Sequence, residues 1–221
     1  MPTKKQNKLS FTEIKRAIKN LPQTTFGISV PELRKLAREI ARTDYKYFVE
    51  NNPNDTFELQ LLHAFVIGYA KDDIRTLLRY FKAFVPMADS WGLTDSLCQN
   101  FKIARKHPQE VWDFIMRYKN SKKEFESRIV AVMLLSHYLT DEYIDRVLDV
   151  LNNLNTDDYY SQMGVAWALA TVVGKYPQKG MDFLRSQACK LDAPTRQKTV
   201  QKIRESFRVS KEIKEQLVRL G

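Results

Sequence analysis

The run Asp89-Ser90-Trp91-Gly92-Leu93-Thr94-Asp95 sets a carboxylate four residues after a tryptophan. On a helix, residues four apart stand one turn above the other, whereas residues two apart differ by about 200° around the axis. The Leu93, Leu97 and Phe101 stripe therefore faces away from Trp91 and Asp95. One face is expected to pack, and the other to offer an indole and a fixed negative charge. A flat π face beside a carboxylate suits a cationic partner. The competing reading places Trp91 in the core and makes Asp95 a helix cap or an ion-pair partner.

Other chemistry is thinly represented. His63, His107 and His137 are widely separated and lack partners at metal-ligand spacing. Cys98 and Cys189 fit no metal spacing and are expected to be reduced thiols. The chain has no G-x-G-x-x-G, no Walker-type phosphate loop and no G-x-S-x-G. Neither a metal nor a cofactor is expected.

The elements that must position these residues read as helices. Periodicity of 3.6 dominates, with no run of strict alternation between turn signals. Helices are expected at about 10–20, 30–42, 56–70, 72–82, 89–103, 109–118, 123–138, 141–152, 158–174, 176–187, 195–207 and 210–219. Pro22, Pro53, Pro86, Pro108, Pro177 and Pro194 lie between segments, and Thr56, Asp89 and Thr195 are candidate N-caps. SRIVAVMLLSHYL at 127–139 aligns with SQMGVAWALATVV at 161–173 and with TRQKTVQKIRESF from Thr195, each offset by 34 residues. Such a repeat has the size of a helical hairpin, which cannot bury its apolar face alone and so stacks on its neighbours. The same offset makes Arg128, Gln162 and Arg196 equivalent, a polar ladder along one face. Arg128 alternatively pairs with Glu124 or Glu126. In the middle copy Val165, Leu169 and Val172 form one stripe, and Met163 and Trp167 lie off it. Trp167 then either looks into the concavity or packs in the core.

A formal charge of +10 makes a polyanion the first partner to consider. The excess gathers at the two ends, from Lys4, Lys5 and Lys8 to Arg196, Lys198, Lys202, Arg204, Arg208 and Arg219. The N-terminus carries no apolar run after its charges, and no apolar stretch approaches the roughly 20 residues of a membrane span. A soluble, cytoplasmic monomer is expected.

DSWGLTDSLC at 89–98, FESRIVAVMLL at 125–135, VAWAL at 165–169 and GISVPELRKLAREI at 27–40 together resemble the DNA alkylation repair family, its AlkD-like group of HEAT-like repeat proteins. The likeness covers roughly Gly27 to Arg208. It implies a right-handed superhelical array of HEAT-like helical hairpins (an α-α solenoid), in line with the all-α periodicity; with few Gly and Pro and no linker stretch, a single domain over 1–221 is expected, with a disordered basic tail at 1–9. It further implies a DNA glycosylase that removes cationic N3- and N7-alkylpurines from duplex DNA. Asp95 would be the catalytic carboxylate, Trp91 and Trp167 aromatic walls, and Arg128 a phosphate clamp; Gln162, Arg196 and Lys202 join it as expected nucleic-acid contacts. Gly92 stands where active members often carry a polar or acidic residue, and Ala170 where many carry arginine. The stretch before Gly27 holds one short predicted helix, where active members have a longer helical clasp. These departures leave open a branch that keeps the Trp and Asp signature as a noncatalytic binding module.

Overall fold

The computed structural model describes residues 11–20, 23–24 and 27–217. The basic stretch 1–9, Pro22 and Arg219 lie outside these residues. The described chain is all-helical apart from a two-residue antiparallel ladder, β1 (Gln23–Thr24) and β2 (Gly27–Ile28), with Gln23 opposite Ile28 and Thr24 opposite Gly27. Two compact units follow one another along the chain, the first ending at His107 and the second beginning at Pro108.

The first unit contains α1 (Phe11–Lys19), α2 (Val30–Arg42), α3 (Tyr45–Asn51), α4 (Phe57–Tyr69), α5 (Ile74–Phe84) and α6 (Trp91–Asn100). Helix α2 packs on α4, and α4 on α6. The sequence of α4 explains its central place: Leu59 and the run from Leu61 to Ile67 are all buried, and a helix apolar on every side must be covered on every side. Helix α2 is two-faced instead, burying Leu33, Leu36, Ala37 and Ile40 while Lys35, Arg38 and Arg42 face outward. The α4–α6 contact needs glycine at Gly68, because a Cβ there would stand 2.7 Å from Asn100 Cβ.

The second unit contains α7 (Pro108–Ile115), α8 (Glu124–His137), α9 (Ile144–Asn153), α10 (Tyr159–Lys175), α11 (Pro177–Arg185), α12 (Ala193–Glu205) and α13 (Lys211–Gln216). Helices α8, α10 and α12 pack in succession, and α9 and α11 lie against α10. This is the solenoid-like arrangement that the 34-residue offset predicts. Ser127, Ser161 and Thr195 occupy equivalent positions and are all buried. Their hydroxyls donate locally, to Ser121 O at 3.2 Å, Asp158 O at 2.7 Å and Asp192 Oδ2 at 2.9 Å. Neighbouring hairpins are also tied polar group to polar group: Asn152 Nδ2 donates to Ala188 O at 2.9 Å, and Lys190 N to Asn152 Oδ1 at 2.7 Å.

Several local expectations are corrected. Helix α3 falls in a stretch read as loop; Asp44 caps it by accepting from Tyr47 N at 3.3 Å, and Tyr45, Phe48 and Val49 give it a buried face. Helix α6 is capped by Ser90 rather than Asp89, because Ser90 has the extended backbone from which its Oγ reaches Leu93 N. Asp192, not Thr195, caps α12: Pro194 lies in the first turn, where a missing N–H costs nothing, so the helix starts ahead of it. Helix α12 also stops at Glu205, two residues short of the expected end.

Candidate functional site

Ser90 sets the geometry of the tryptophan and aspartate pair. Its Oγ accepts from Leu93 N at 3.4 Å, and its carbonyl accepts from Thr94 Oγ1 at 2.8 Å. Trp91 is thereby the first residue of α6, with Asp95 one turn further in. Leu93, Leu97 and Phe101 are fully buried, as the stripe requires. The pair differs in exposure: Trp91 is 57% exposed and Asp95 only 7%. An aromatic at a helix start projects past the body of the helix, whereas a residue one turn deeper is walled by neighbouring elements.

Phe57 is a neighbour that sequence reasoning missed. Its ring lies over the first turn of α6, so that a Cβ on Gly92 would stand 3.2 Å from Phe57 Cζ. Gly92 therefore makes room for an aromatic, and Phe57 itself is 49% exposed. The signal was available. Phe57, Trp91, Phe125 and Tyr159 stand 34 residues apart in succession, at the starts of α4, α6, α8 and α10. In the second unit this row forms a ledge: Phe125 stacks on Tyr160 with centroids 5.5 Å apart, Tyr159 meets Tyr160 edge-on, and Lys198 Nζ lies 4.5 Å from the Tyr159 ring centroid.

The other expected site residues belong to the second unit. Arg128 is 6% exposed and donates from Nη1 to Tyr160 O at 3.0 Å. Gly164 gives its aliphatic stem room, since a Cβ there would stand 3.3 Å from Arg128 Cγ. Gln162 Nε2 donates to Thr156 O at 3.0 Å, and Arg196 Nη1 to Leu184 O at 2.8 Å. All three rungs of the polar ladder thus bind backbone carbonyls, two of them within their own repeat. Lys202 Nζ pairs with Glu205 at 3.1 Å. Trp167 and Met163 are partly exposed on α10, while Val165, Leu169 and Val172 are buried. None of the described helices is long and apolar enough to cross a membrane.

Comparison with known proteins places residues 4–214 under the family described as DNA alkylation repair enzyme. No curated protein and no solved structure matches the chain.

Proposed function

Since the chain belongs to the DNA alkylation repair family, we propose that it acts on duplex DNA as a glycosylase, releasing cationic N3- or N7-alkylpurines by carboxylate-assisted hydrolysis of the N-glycosidic bond. The observation that carries this reading is the α6 pair, an exposed indole with a carboxylate one turn behind it. The charged purine leaves as a neutral base with the bonding electrons, and positive character develops on the sugar. A preorganised carboxylate at Asp95 stabilises that charge and orients the water that bonds to the anomeric carbon, its proton passing to solvent. Trp91 offers its π face to the electron-poor C–H edges, a contribution of about 0.5–2 kcal/mol. In the second unit Trp167 presents a further aromatic face, and Arg128, Gln162, Arg196 and Lys202 contact phosphates.

A noncatalytic HEAT-like binding module is the second reading. The near-complete burial of Asp95 and Arg128, with Arg128 holding a backbone carbonyl, favours it. Base release from N7-methylguanine DNA separates the two. The glycosylase reading expects release by the wild type and a loss of roughly 100-fold or more in Asp95→Asn, which preserves shape and removes charge. Equal release, or none from either protein, leaves only the binding module.

A further inference from the structure

Phe207 is the most exposed large apolar residue among those described, at 104% of its reference surface. Single exposed apolar side chains are ordinary, but three observations set this one apart. First, it breaks the repeat: Val173 and Leu139, the residues 34 and 68 positions earlier, are both buried. Helix α12 ends at Glu205 and the chain turns out at Ser206 in an extended conformation, so Phe207 leaves the position its equivalents pack. Second, the turn is anchored on both sides. Ile203 and Val209 are buried in the cluster formed with Met181, Leu184 and Leu217, Ser206 N donates to Ile203 O at 3.2 Å, and Arg208 N donates to Ser206 Oγ at 3.2 Å.

The third observation is charge. Arg204 stands three residues before Phe207 and Arg208 directly after it, both exposed, and neither guanidinium has a hydrogen bond or ion pair among the described residues. The acid between them in the chain, Glu205, is taken by Lys202 at 3.1 Å and by Gln201 Nε2 at 2.8 Å. Lys211 beyond the turn faces Glu215 at 3.8 Å. The turn therefore carries one exposed apolar blade and, on either side of it in the chain, two uncommitted cations. That combination matches the step between two stacked base pairs, which accepts a flat apolar side chain and is flanked by phosphates.

We propose that Phe207 is a wedge inserted between adjacent bases of bound DNA, with Arg204 and Arg208 on the neighbouring phosphates. This rests on the DNA-binding part of the function proposed above and does not depend on base excision. Because Phe207 supports no packing, Phe207→Ala keeps the fold.

The test uses duplexes carrying 2-aminopurine at successive positions, whose fluorescence rises when its stacking is broken. Wild-type protein is expected to raise the signal at one step. Phe207→Ala should abolish that rise and weaken binding roughly tenfold, while Phe207→Trp retains both. Arg204→Ala and Arg208→Ala should each lower the slope of log affinity against log salt by about one while preserving the signal at saturation. Equal affinity and equal fluorescence for wild type and Phe207→Ala overturns the wedge and leaves DNA binding intact. Absence of DNA binding by the wild type overturns the functional reading and the wedge with it. A wild-type dimer that Phe207→Ala converts to monomer, with unchanged DNA affinity, assigns the blade to self-association and also overturns the proposal.

Discussion

Burial keeps His63 neutral. Its ring lies edge-on to Phe48 and Phe84, with centroids 6.0 and 5.2 Å away, and desolvation pushes its pKa down from 6.5 to about 4. Its Nδ1 stands 2.9 Å from Asn54 Oδ1, which also accepts from Asn52 Nδ2 at 2.7 Å. Asn54 holds φ at 51°, a left-handed conformation that asparagine tolerates well. On acidification the unfolded chain takes up the histidine proton before the folded one does. The stability from keeping His63 neutral is thus complete above pH 6.5 and declines as pH falls toward about 4, a loss of about 3 kcal/mol. Urea unfolding at a series of pH values should show this decline in the wild type and a shallower one in His63→Gln. An equally steep decline in the variant would assign the acid limb to other groups.

Helix contacts in the first unit depend on small residues at the crossings. A methyl at Gly68 would stand 3.0 Å from the Asn100 backbone carbon as well as 2.7 Å from Cβ, and backbone cannot rotate aside as a side chain can. Gly68→Ala is expected to destabilise the protein by about 1–3 kcal/mol despite its better helix propensity; a chemical denaturation midpoint at or above that of the wild type would contradict the crossing geometry. At this scale the sequence was informative where burial follows period. The all-round apolar segments became α4, α8 and α10, and the 34-residue offset became the succession α8, α10, α12. It was less informative where one residue decides. Seven-residue α3 is too short for periodicity to distinguish it from a loop, and the end of α12 depends on a turn that only packing of Val209 explains. Trp91 and Asp95 were recognised from their spacing, but the burial of Asp95 comes from neighbouring elements that no local pattern reports. Phe57 was legible only by carrying the repeat back into the first unit.

A net charge of +10 acts at the scale of the whole molecule. If several phosphates are contacted, the plot of log affinity against log salt should fall with a slope of roughly −3 or steeper, about −0.9 for each phosphate. Titrating a labelled duplex across salt concentrations measures it, and an affinity indifferent to salt would point to a protein ligand. The second unit's construction has a further consequence for its ancestry. Hydroxyls and aromatics recur in it at one fixed interval, and the side chain of Asn152 in one hairpin holds the main chain of the next. Adding or deleting a single residue inside α10 would rotate everything after it by about 100° and pull those rungs off their partners, whereas duplicating or losing a complete hairpin would keep all of them matched. Helix length in such an array is quantised, so surviving indels should come in whole-hairpin multiples or collect in the loops, which take up a residue without turning a helix.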